Sequence, residues 1–201
     1  YKHNISTYHP VGSLKYGVFY DQSIKDNQTY QYDICLISQY SDRKFYDIHK
    51  LPEAWKNLGN NLVEFSKMVG RYVNEKSLRV CIALRSNEKS EREFYNKYVG
   101  DNIFFSNVDR SKFNSYKVAM KSKLCVAISS TLAIEMFGGG HKVMFVNPFC
   151  EEWLKPVNEG AWYSPGTNYN EFNKKLSYLL NISHEKYLSL GISIASYPFF
   201  F

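Results

Sequence analysis

The chain has 201 residues, 44% hydrophobic and 22% charged, enough for one large globular domain or one domain and part of a second. Its formal net charge of +6 and pI near 9.0 favour polyanionic partners. The basic residues are scattered, however, and no helix-turn-helix, zinc-finger or aromatic ribonucleoprotein motif accompanies them, so no nucleic-acid partner is expected. No run of about 18 apolar residues marks a membrane span, and no apolar leader follows Tyr1-Lys2-His3-Asn4. Cys35, Cys81, Cys125 and Cys150 have no CxxC spacing, and three of them lie in apolar runs. They read as reduced core residues of a cytoplasmic protein, not as metal ligands. The chain opens without Met, which makes a trimmed fragment of something longer the expectation.

In chain order, Asp33–Ser38 is a compact apolar run after polar residues, the pattern of a buried strand. Pro52 opens a helical pattern to about Asn74, with Leu58, Leu62, Phe65, Val69 and Tyr72 spaced by three and four. Leu78–Leu84 predicts a second buried strand, Ser90–Tyr98 a short charged helix, and Ile103–Phe105 a third strand. Ser111–Ser122 reads as a helix and Leu124–Ile128 as a fourth strand. That strand runs through Ser129-Ser130-Thr131 into a helix, Leu132–Phe137, which Gly138-Gly139-Gly140 stops. Lys142–Val146 predicts a fifth strand, ended by Asn147-Pro148. After a loop rich in Trp, Gly and Pro, two helices follow, Tyr169–Leu180 and Ser183 to about Ser196, with Ser183 as N-cap.

Strands separated by helical crossovers pair in parallel, and strands covered on both faces are continuously apolar. The predicted fold is therefore α/β: a Rossmann-like, doubly wound, mainly parallel sheet. Residues 31–201 form that domain, and 1–30 form a segment or linker from a missing half. In such sheets ligands bind beyond the carboxyl ends of the strands. Those ends carry Ser38-Gln39, Arg85, Ser106-Asn107, Ser129-Ser130-Thr131 and Asn147-Pro148. Hydroxyls, amides and one guanidinium point to recognition of a polar, phosphorylated ligand. A metal-dependent phosphatase or nuclease would need clustered Asp at these ends, and no metal is expected.

Ser129-Ser130-Thr131 is the leading candidate. A hydroxyl turn that feeds a helix aims backbone amides and a positive dipole end at one spot, where phosphate binds. The same residues would also serve as a plain N-cap. Glu135, one turn inside that helix, reads from position alone as a solvated carboxylate or a partner of Lys142. Arg85 faces phosphate or a sugar carboxylate, or pairs with Glu88 or Glu91. Ser38 and Gln39 are weaker candidates, able to cap the next turn. His141, after the glycines, reads as an exposed turn residue.

The string from Ser129 to Val146 resembles the nucleotide-diphosphate motif of GT-B glycosyltransferases, in which a hydroxyl turn precedes a helix with Glu, then Gly, then a strand. The nearest resemblance is to bacterial transferases of capsule, O-antigen and lipopolysaccharide biosynthesis that use CMP-Kdo or related donors. Gly12-Ser13 is similar to the short Gly-Ser turn of that group, and His9-Pro10 to the His-Pro pair of bacterial sialyltransferases, which makes His9 an outside candidate. The resemblance implies the donor-binding, carboxyl-terminal half of a transferase. Glu135 would then hold ribose, the nucleotide sugar would be a substrate, and no separate cofactor would be needed. The acceptor would be a glycan or glycolipid at the inner face of the membrane, reached by peripheral association, and the catalytic carboxylate would come from the other half. A CDP-donor glycerophosphotransferase-like enzyme and a non-catalytic nucleotide- or glycan-binding module are the alternatives.

Overall fold

The structure, a computed structural model, describes residues 13–23, 29–41, 57–86, 89–109, 112–156 and 159–190. Six strands form one sheet: β1 (Tyr32–Ile37), β2 (Val80–Ala83), β3 (Ile103–Phe105), β4 (Ser122–Ala127), β5 (Val143–Asn147) and β6 (Tyr163–Pro165). Every pairing is parallel and the order is β3-β2-β1-β4-β5-β6. The doubly wound expectation holds, and this is the strand order of Rossmann sheets. The order reverses between β1 and β4, which pair directly, with Cys35 beside Cys125. Cys81 on β2 joins them in the core, while Cys150 is exposed.

The helices are α1 (Leu14–Ser23), α2 (Leu58–Lys76), α3 (Lys89–Tyr98), α4 (Asn114–Met120), α5 (Thr131–Gly138), α6 (Tyr169–Asn181) and α7 (His184–Leu188). Leu62, Phe65, Val69 and Tyr72, spaced by three and four along α2, are all buried, as the periodicity requires. α2 packs on β5, α3 and α6, whereas α4 packs on β1, β2 and β4. Gly70 lets α2 approach the end of α3 closely. A Cβ there would lie 2.3 Å from the Tyr98 carbonyl oxygen and 2.8 Å from Val99 Cα. The predicted start of α2 at Pro52 falls outside the described residues, as does the proposed extension of α7 beyond residue 190.

Three elements differ from the sequence expectation. The helix read to Ser122 ends at Met120, and Ser122 already opens β4, buried and donating its hydroxyl to the Val118 carbonyl at 2.7 Å. The sequence of β6, Tyr-Ser-Pro, carries no apolar run and reads as loop. It is an edge strand, where Pro165 can end the ladder without costing a hydrogen bond. Trp162 anchors it, its ring 5.0 Å from Phe137 and 6.2 Å from Phe145. α1 lies within the stretch assigned to a linker. It packs through buried Phe19, whose ring is 5.0 Å from Tyr116 and 5.9 Å from Phe113. Its sequence, with Gly17 at its centre and little amphipathic pattern, gave no helical signal.

Candidate functional site

At the carboxyl ends of β1, β2 and β4, where the strand order reverses, lies a cleft of about 510 Å³. Ser38, Gln39, Arg85, Ser129, Ser130, Thr131 and Glu135 all line it. These residues span nearly a hundred positions of sequence, and the parallel topology brings them to one place. Ser13 reaches the same site by donating its hydroxyl to Glu135. Gly12 and His9 lie outside the described residues. Lys15 and Tyr116, to which the sequence assigned no role, also line the cleft. Two cations, Lys15 and Arg85, face one lining carboxylate, Glu135, so the cleft carries a positive balance suited to an anion.

The hydroxyl turn is built for such an anion. Ser130 is the N-cap of α5 with extended backbone, φ −158° and ψ 138°, and its own side chain makes no capping hydrogen bond. The amides of the first turn, at Thr131 and Leu132 on the cleft wall, therefore keep their donor capacity. The Ser129 amide is the exception, since it donates to Gln39 Oε1 at 3.0 Å. Gln39 thus ties the loop after β1 to the turn after β4.

Ser38 lines the cleft, yet its hydroxyl is committed within the protein. It donates to Glu91 and accepts from the Tyr95 hydroxyl at 2.9 Å and the Tyr40 amide at 3.2 Å. Glu91, on the first turn of α3, is 0% exposed. It also accepts from the Arg85 amide, the Ser86 amide and the Ser86 hydroxyl, each at 2.9 Å. The bond between Arg85 and Glu91 is thus made by the Arg85 backbone, and Arg85 is one of the residues that line the cleft. No sequence pattern marks Glu91, because its partner Ser38 is 53 residues away and no motif links a strand end to a helix so far along the chain.

Glu135 accepts from the Ser13 hydroxyl and, at 2.5 Å, from the Tyr116 hydroxyl. Burial and the neighbouring carboxylate push the Tyr116 pKa up, so this phenol stays a proton donor. A carboxylate offers about four acceptor positions, which leaves Glu135 capacity toward the cleft. Lys142 is not its partner. The Lys142 ammonium donates to the Leu179 carbonyl at 3.1 Å and to the Ile182 carbonyl, completing the carboxyl end of α6. His141, expected on an exposed turn, is mostly buried. Burial, with a smaller contribution from His184, lowers its pKa to about 4. Asn147 is also structural: its side chain donates to the Tyr163 hydroxyl at 2.9 Å and to the Glu151 carbonyl at 3.0 Å.

Among the described residues no group of three or more His, Cys, Asp or Glu is placed to hold a metal ion, and no helix is long and apolar enough to cross a membrane. No curated protein matches the chain. Among solved structures, it is similar to a crystal structure from Listeria monocytogenes described as a "putative UDP-N-acetylglucosamine 2-epimerase", with 18% identity and a TM-score of 0.48. That similarity covers 94% of this chain and 44% of the other, so the chain spans less than half the length of that protein. Over residues 1–193 the chain matches the model of a family described as "putative O-antigen biosynthesis protein". The match takes in nearly the whole sequence, and the chain belongs to that family.

Proposed function

We propose that this chain is the donor-binding domain of a glycosyltransferase, which transfers a sugar from a nucleotide-activated donor to a surface polysaccharide or lipid acceptor. The observation that carries the reading is the uncapped α5 N-terminus, which opens into a cationic cleft at the point where the strand order reverses. Family membership supplies the setting, the assembly of surface carbohydrate. In this reading the first-turn amides of α5 and the Arg85 guanidinium neutralise the charge that develops on the departing nucleotide phosphate. Preorganised donors of this kind are often the largest single contribution to catalysis. Glu135 accepts the ribose hydroxyls with the oxygen positions that Ser13 and Tyr116 leave open. The resemblance of the 129–146 string favours a CMP-Kdo-like donor. The acceptor site and catalytic carboxylate belong to a facing domain outside this chain, and the acceptor brings the enzyme to the inner face of the membrane.

Calorimetric titration with CMP, CDP, UDP and GDP tests this reading. One of the four is expected to bind, and Ser129→Ala with Ser130→Ala to weaken it by about 1–3 kcal/mol in total, a range that runs from an ordinary hydrogen bond to one made to a charged group. Absence of binding by all four nucleotides would overturn the reading. A CDP-linked glycerol donor in the same panel separates the glycerophosphotransferase-like alternative, because it would then bind in preference to CMP-Kdo.

A further inference from the structure

The Glu91 carboxylate does more than satisfy its own burial. Its oxygens accept from two segments: the end of β1 through the Ser38 hydroxyl, and the end of β2 through the Arg85 amide, the Ser86 amide and the Ser86 hydroxyl. From the adjacent turn of α3, the hydroxyl of Tyr95, also 0% exposed, donates to Ser38 at 2.9 Å. Immediately after Ser38, Gln39 holds the Ser129 amide at 3.0 Å. Tyr95 and Glu91 therefore hold Ser38 by hydrogen bonds, and the next residue along the backbone, Gln39, holds the turn after β4. Arg85, which must reach the anion, is fixed at its own backbone by the same carboxylate.

We infer that Glu91 is the positioning residue of the cleft, setting the Arg85 backbone directly and the Ser129 turn through Ser38 and Gln39. The inference rests on the donor-binding reading for its purpose, but not for its geometry. Glu91 is fully buried and is not among the residues that line the cleft. A buried carboxylate with four donors is selective about its replacement. Glutamine keeps the shape but turns an N–H₂ group toward donors that need an acceptor. Buried networks of this kind lose more than the sum of their parts when one member is wrong.

The test uses Glu91→Gln with two readouts. In amide hydrogen exchange, the Arg85, Ser86 and Ser129 amides are expected to exchange at least about tenfold faster, the factor that matches loss of one hydrogen bond. Exchange at Cys125 and Val126 in the sheet centre should stay at the wild-type rate. In calorimetry with the nucleotide that binds the wild type, affinity is expected to fall about tenfold in the wild-type background, and by distinctly less when Arg85→Ala is already present, because the part of the effect that acts through Arg85 is then already lost and only the part through the Ser129 turn remains. Equal losses in both backgrounds would mean that Glu91 merely stabilises the fold, and would overturn the inference. So would wild-type exchange at Ser129. If no nucleotide binds the wild type, the donor reading fails, and the exchange at Ser129 still decides the role of Glu91. Tyr95→Phe removes only the hydroxyl bonded to Ser38. Should Glu91→Gln fail to fold, Tyr95→Phe must show faster exchange at Ser129 for the inference to stand.

Discussion

Glu135 separates a ligand-binding carboxylate from a structural one, because the two roles respond oppositely to the same pair of substitutions. In the free protein Glu135 accepts from Ser13 on the α1 side and Tyr116 on α4. Glu135→Ala removes both bonds and leaves the Tyr116 hydroxyl without its acceptor; Tyr116 is only 4% exposed. Each hydrogen bond to a charged group is worth about 1.5–3 kcal/mol, and part exposure of the site reduces that, so a stability loss of about 2–4 kcal/mol is expected. The double substitution Ser13→Ala, Tyr116→Phe removes the same two bonds but keeps the carboxylate, and should cost a comparable amount. Urea denaturation measures both. The binding assay then distinguishes them. If Glu135 holds ribose, Glu135→Ala weakens nucleotide binding by about 1.5–3 kcal/mol. The double variant binds as tightly as the wild type or more tightly, since its carboxylate has fewer competitors. Should calorimetry show the two variants losing affinity equally, Glu135 is a structural tie between α1 and α4, and the ribose assignment fails.

Two further outcomes follow from the packing. His141 titrates near 4 when folded, against about 6.5 in an unfolded chain, so between those values the unfolded state binds the extra proton. Stability is therefore complete above about pH 6.5 and falls as pH drops toward 4, by at most about 3 kcal/mol from this group at 1.36 kcal/mol per pH unit. His141→Asn should flatten the decline in urea midpoint between pH 7 and 5, and an unchanged slope would refute the assignment. Gly70→Ala gains about 1 kcal/mol of helix propensity but drives a Cβ to 2.3 Å from the Tyr98 carbonyl, in backbone that cannot turn aside. Overpacking of this kind costs about 1–3 kcal/mol, so the melting temperature should fall, and a rise would show that α3 moves freely.

The periodicity of the sequence was enough to determine five of the sheet's six strands and their parallel pairing. Apolar runs such as Ile34–Ile37 and Leu124–Ile128 can be buried only with both faces covered, and the helical crossovers between them require parallel pairing. That logic also named the carboxyl-end loops, and seven of the candidate residues line one cleft. It missed α1 and β6, whose short sequences carry no periodic signal and which depend on aromatic packing by Phe19 and Trp162. Hydrogen-bond assignment within the cleft was beyond its reach. Ser38 and Gln39 read as ligand residues because they stand at a strand end. Only the fold shows that Ser38 bonds Glu91, 53 residues on, and that Gln39 holds the Ser129 amide, 90 residues on. A strand's burial is decided by its neighbours in sequence, whereas a polar atom's partner is decided by distance in space, which the chain fixes only when it has folded.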